Sequence, residues 1–170
     1  MFDKRRAHAL QNAAMTYALH GWPVTPLGSD GLRLNPTFVY TADDVADAGW
    51  WDEPDACQLG VMCTSFDVLR VPSPDGASIW RTLGPSCITA KFRRSANARL
   101  HWLFFLERGS IRQRPLGTSR ALLCGSDQYV IMPPSETELT GRVHWVVPPN
   151  QAQWQPYRRH DIFDRLGIAS

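Results

Sequence analysis

Leu100-His101-Trp102-Leu103-Phe104-Phe105-Leu106 contains the longest uninterrupted apolar run of the chain, Trp102 to Leu106. Such a run is far short of the roughly 18–20 residues that cross a bilayer, and no other stretch comes closer. Aromatic, apolar on both faces and a strand's length, it belongs at the centre of a sheet. Just upstream, Cys87 to Phe92 alternates as a second strand. If the two are neighbours, Arg93, Arg94 and Arg99 cluster in their connection, behind Lys91 and just before His101.

Working outward, short apolar runs broken by turn residues continue on both sides: Leu59–Cys63, Phe66–Val71, Ala121–Cys124, Tyr129–Met132 and Val143–Val147. A Pro-Asp-Gly turn is expected at 74–76, followed by two helical turns from Ala77 to Leu83. Towards the N-terminus, Ala7, Leu10, Ala14, Tyr17 and Ala18 recur at helical spacing, and Gly21 stands where a left-handed cap belongs. Trp22 to Leu27 holds two prolines and suits a sheet edge. Thr41 before Asp43 and Asp44 is a helix start, which gives those acids a structural reason. The order predicts an α+β fold, a mixed β-sheet with flanking helices. One domain over residues 1–149 is expected, then a tail over 150–170 with a short helix at Asp161–Leu166.

With 170 residues, 44% apolar and 20% charged, the chain is long enough for one core and too apolar for disorder. The basic start Lys4-Arg5-Arg6 leads into Ala7-His8-Ala9-Leu10-Gln11-Asn12, too polar for the core of a secretory signal, so a cytoplasmic protein is expected. Of the four cysteines (57, 63, 87, 124) no two have zinc-knuckle spacing, and buried free thiols are the expectation. Net charge is only +2, yet its distribution is uneven. Residues 41–57 hold six acids and no base, while 81–120 hold nine bases and a single acid, Glu107.

No Asp-x-Asp, Glu-x-x-His or His-x-x-x-His occurs, and the glycines form no phosphate-cradling loop. The chemistry-bearing signal is therefore the basic segment Lys91 to Trp102. Arginines there could fork onto phosphate oxygens, or could simply be a solvated hairpin tip. Arg112, Arg114 and Arg120 could extend the patch, and some of the seven tryptophans could stack on bases.

Several landmarks in order resemble a known family. They are Ala14-Met15-Thr16-Tyr17-Ala18-Leu19-His20-Gly21-Trp22-Pro23-Val24-Thr25-Pro26-Leu27, Trp50-Trp51 before a proline, Leu59-Gly60-Val61 and Phe66-Asp67-Val68-Leu69. Gly125-Ser126-Asp127-Gln128-Tyr129-Val130-Ile131-Met132-Pro133-Pro134-Ser135 and Arg142-Val143-His144-Trp145 come after them. Together, over about residues 7–149, they are similar to the N-terminal domain of bifunctional DNA primase/polymerases, in the archaeo-eukaryotic primase superfamily. That implies a primase/polymerase-like fold with an RRM-like catalytic core. In active members an Asp-x-Asp follows the apolar strand, where this chain has Arg70-Val71-Pro72, and a third acid falls at Leu122. The resemblance also matches His101 to the family's phosphate-contacting histidine.

An arginine, a proline and a leucine cannot hold Mg²⁺. The expectation is thus a nucleotide- or nucleic-acid-binding domain without catalysis, using His101, Lys91, Arg93, Arg94 and Arg99. Arg70 would stand in for the metal's charge. No cofactor is expected. An active primase or polymerase, needing Mg²⁺ or Mn²⁺, is the alternative, and it would require acids such as Asp67, Asp75 or Asp127. A protein-interaction module on the same scaffold is the third reading. Expected partners are nucleotide or single-stranded or primer-template nucleic acid, with protein partners under the third reading, and no membrane.

Overall fold

The computed structural model describes residues 4–35, 39–47, 58–85, 87–93, 98–109, 114–116, 121–125, 128–137 and 141–168. Helix α1, Lys4–Leu19, buries Ala7, Leu10, Ala14, Tyr17 and Ala18, the stripe expected from their spacing. It stops at Gly21, whose φ of 75° costs glycine nothing, and the Gly21 N–H donates to the Ala18 carbonyl at 2.9 Å. The chain then enters β1, Val24–Leu27. In α2, Ala42–Asp47, the Asp44 carboxylate reaches back to accept from both the N–H and the hydroxyl of Thr41, at 2.8 and 2.7 Å. These two bonds close the helix start and hold the Asp44 carboxyl below its ordinary range.

The strands form two antiparallel sheets. The smaller has the order β1-β2-β8, with β2 at Gln58–Met62 and β8 at Tyr129–Met132. Proline-containing β1 lies at its edge, as a strand short of donors must. The larger runs β6-β7-β3-β5-β4-β10-β9. In that order these are Arg114–Leu116, Ala121–Cys124, Phe66–Pro72, His101–Glu107, Thr89–Arg93, Gly141–Val147 and Glu136–Thr137. The apolar strand β5 takes the central place, and Phe104, Phe105 and Leu106 are fully buried on its two faces. All described strand pairs are antiparallel; the parallel element is a single bridge between Leu106 and Tyr157.

Two local features differ from the sequence expectation. Ala121–Cys124 and Tyr129–Met132 lie in different sheets, since the segment between them carries the chain from the large sheet to the small one. The Pro-Asp-Gly signal at 74–76 is no free turn but the beginning of α3, Asp75–Leu83, with Pro74 at its N-cap. Gly76 is needed there because a Cβ would come within 2.5 Å of the Trp102 ring.

The large sheet separates two cores. On one side Val68, Leu103 and Phe105 pack with Leu10 and Ala14 of α1 and Leu59 and Val61 of β2. On the other, Leu69, Val71, Phe104 and Leu106 pack with Ile79 of α3 and with Ile162 and Phe163 of α4, Arg159–Leu166. The segment leading into α4 is tied to β5, because Tyr157 donates its N–H to the Phe105 carbonyl and its own carbonyl accepts from the Glu107 N–H, at 2.8 and 2.9 Å. Among the described residues no helix is long and apolar enough to cross a membrane.

Candidate anion-binding cleft

Alternation along β3 decides which side chains meet. Asp67, Leu69 and Val71 face α4, whereas Val68 and Arg70 face the small sheet. The ladder sets Arg70 between Leu103 of β5 and Leu122 of β7, and two residues further along β3 Pro72 pairs with His101, which pairs with Phe92 of β4. Position 122, remote in sequence from 70 and 72, is thus brought beside them towards one end of β3.

Beside them is a cavity of about 170 Å³ between the two sheets. Its walls include Val68, Leu103, Phe92 and Val143 from the large sheet and Tyr129 and Ile131 from β8. Arg70 is the one charged residue among its described lining. Its guanidinium carbon lies 5.9 Å from the centre of the Phe92 ring, and the His101 imidazole stacks on that ring at 5.1 Å and 14°. A cation–aromatic contact of this kind is worth about 0.5–1 kcal/mol and orients the guanidinium without neutralising it. Among the described residues no carboxylate forms an ion pair with Arg70. Tyr129 donates its hydroxyl to the Gly31 carbonyl at 3.0 Å, and burial raises its pKa against the opposing charge of Arg33.

A divalent metal does not fit these walls. Mg²⁺ and Mn²⁺ want carboxylate and other oxygen ligands, and the described lining offers a cation, a phenol, a thiol and hydrocarbon. Asp67 is turned away to the opposite face, fully buried, with Oδ2 accepting from the Gly109 N–H at 3.0 Å and from Arg159. Burial still pushes its pKa up, opposed by those two donors. Asp75 is in the first turn of α3, and Asp127 lies outside the described residues.

The other basic residues singled out in the sequence are not all here. Arg99, exposed, precedes β5 at the His101 end. Lys91 points to the opposite face, its ammonium 5.6 Å from the Trp102 ring centre. Arg93 alternates with Phe92 and shares the Lys91 face. Arg94, Arg112 and Arg120 lie outside the described residues, and Arg114 is placed by its backbone in β6. The tryptophans that are described pack among other rings: Trp22 with Phe66, Phe105 and Trp154, Trp80 with Trp102, Trp145 with Tyr17. Trp50 and Trp51 lie outside. Cys63, Cys87 and Cys124 are free thiols, and burial raises the pKa of Cys63 and Cys124. Phe92 and Tyr129 are cleft residues that the sequence does not single out. Phe92 carries a usable signal, because alternation from His101 across a paired strand places a ring beside it.

Fold and cleft together define an α+β domain with two antiparallel sheets and a cationic, partly apolar cavity between them. The family model for the N-terminal domain of bifunctional DNA primase/polymerases matches residues 14–157, and the chain belongs to that family. No curated protein and no solved structure matches the chain.

Proposed function

We propose that this domain binds nucleotide phosphates in the cleft without a divalent metal and does not polymerise. The observation behind this reading is Arg70, an oriented guanidinium with no ion pair among the described residues, on the cavity wall where the family resemblance expects a metal-binding acid. Arginine stays charged at any working pH and presents paired donors that match phosphate oxygens. His101, stacked on the same Phe92 ring, adds a second donor nearby. Phosphoryl transfer in polymerases needs metal ions to activate the attacking hydroxyl and to neutralise the triphosphate. Arg70 can supply the second of these roles and not the first, which leaves recognition without chemistry.

Primer extension tests the absence of chemistry. The protein, incubated with primed and unprimed templates, nucleoside triphosphates and Mg²⁺ or Mn²⁺, should give no product above background. Template-dependent products that vanish on replacing Asp67, Asp75 or Asp127 would refute the reading and restore an active enzyme with a displaced acid site.

A further inference from the structure

A second cavity, of about 220 Å³, lies towards the other end of β3, and its described lining shares no residue with that of the cleft. Its floor is made by Trp22, Phe66, Ile88 and Phe105, all buried. Exposed His20 and Ser65 and half-buried Trp154 frame its mouth. Interior side chains normally interlock with no gap larger than a water molecule, so close packing alone does not account for a cavity of this size over buried rings. The residue that walls it is also held under strain. Gln153 and Trp154 are consecutive non-glycine residues in the left-handed region, with φ of 50° and 58°, where Cβ crowds the backbone. Hydrogen bonds fix that turn: the Trp154 N–H donates to the Pro149 carbonyl at 2.7 Å and the Gln155 N–H to the Ala152 carbonyl at 2.9 Å. The indole so placed meets Trp22 at 77° with ring centres 4.8 Å apart, and the His20 imidazole stacks on it at 3.5 Å and 11°. Backbone strain kept beside a concave, ring-lined cavity points to a ligand site rather than to packing.

We infer that this cavity binds a small neutral aromatic molecule bearing one hydroxyl group, a phenol in the simplest case. Three ring systems and a branched aliphatic chain form the floor, which a flat apolar ring extends by edge-to-face or offset contact. Apolar cavities of roughly 150 Å³ already take up benzene. The described lining holds no carboxylate, lysine or arginine, so an ionic ligand would lose its water there without gaining a counter-charge. The mouth supplies the polar partner. His20 Nδ1 lies 2.9 Å from the Thr16 carbonyl, which can only accept, so Nδ1 carries the proton and the neutral imidazole keeps Nε2 as an acceptor. Stacking on Trp154 fixes the plane of that ring. The Ser65 hydroxyl is turned to the Gly21 carbonyl at 3.5 Å, which leaves Nε2 as the acceptor that a ligand hydroxyl meets.

Fluorine NMR of 4-fluorophenol and of fluorobenzene, each titrated with the full chain, tests the assignment. Wild-type protein should bind both saturably. His20→Phe keeps a ring to stack on Trp154 but removes the acceptor. It should therefore bind 4-fluorophenol about fivefold more weakly, the loss of one neutral hydrogen bond, and leave fluorobenzene unaffected. Ser65→Leu, which fills the mouth, should abolish binding of both ligands in a protein that still melts cooperatively. Absence of a saturable shift with the wild type would overturn the proposal. So would 4-fluorophenol binding that is undiminished in His20→Phe, that falls there by the same factor as fluorobenzene binding, or that persists in Ser65→Leu.

Discussion

Arg70 and Leu122 are cross-strand partners on β3 and β7, with Leu103 completing the row on the other side of Arg70. The ladder fixes Arg70 in this row, on the wall of the cavity. A one-residue slip would turn Asp67 into the cleft, but it would also drive Leu69 and Val71 out of the core under α4. The sheet therefore fixes which charge the cleft presents.

Replacing Arg70 by alanine removes the only described charge on that wall. A charge-assisted hydrogen bond to phosphate contributes about 1.5–3 kcal/mol, so nucleotide affinity should fall roughly 10- to 100-fold. Stability should fall by no more than the Phe92 contact, about 0.5–1 kcal/mol, because Arg70 makes no ion pair among the described residues. Calorimetric titration together with a thermal melt checks both halves.

The pair between Asp67 and Arg159 anchors α4 to the sheet, and Asp67 is fully buried. Arg159→Ala leaves that carboxylate without its counter-charge and should cost about 3–5 kcal/mol. Burial raises the Asp67 pKa, and losing Arg159 raises it further. The folded variant's carboxyl is then harder to ionise than that of the unfolded chain, so its deficit should be largest at neutral pH and shrink as pH falls. Urea unfolding at neutral and mildly acidic pH measures this.

Gly76 faces the Trp102 ring closely enough that a Cβ would sit at 2.5 Å from it, against an indole stacked on Trp80. Gly76→Ala should destabilise by about 1–3 kcal/mol through overpacking, despite alanine's better helix propensity. Equilibrium unfolding should register the loss.

His144 faces Lys91 across the ladder, with Arg142 two residues before it on its own strand. Its pKa is lowered, first by burial and then by Lys91, while a backbone hydrogen bond with Arg142 partly opposes the shift. The unfolded chain therefore takes up a proton at higher pH than the folded one. Stability should fall as pH drops from neutrality through the ordinary histidine range, and His144→Gln should flatten that slope. Proton NMR titration of the imidazole gives the shift directly.

Much of the fold is legible in the sequence because it rests on local rules. Helix α1 ends just before Gly21, β1 with Pro26 in it is an edge, and β5 is central, each following from periodicity or backbone chemistry at named residues. The division of strands between two sheets is not legible, since nothing in Gly125 or its neighbours states which edge the next strand will join. The start of α3 reads as a turn because Pro74 and Gly76 are turn residues; the reason for Gly76 is the Trp102 ring, which is remote in sequence. At the cleft, Arg70, Pro72 and His101 can be named from the sequence. That Lys91 and Arg93 face away from them follows only from the register of β4 between β5 and β10.

The most direct test is calorimetric titration of a nucleoside triphosphate into the protein in excess EDTA and again in excess Mg²⁺. The account predicts saturable binding with EDTA present, no tighter with Mg²⁺, and roughly 10- to 100-fold weaker in Arg70→Ala. Binding that appears only with Mg²⁺, or survives undiminished in Arg70→Ala, would contradict it.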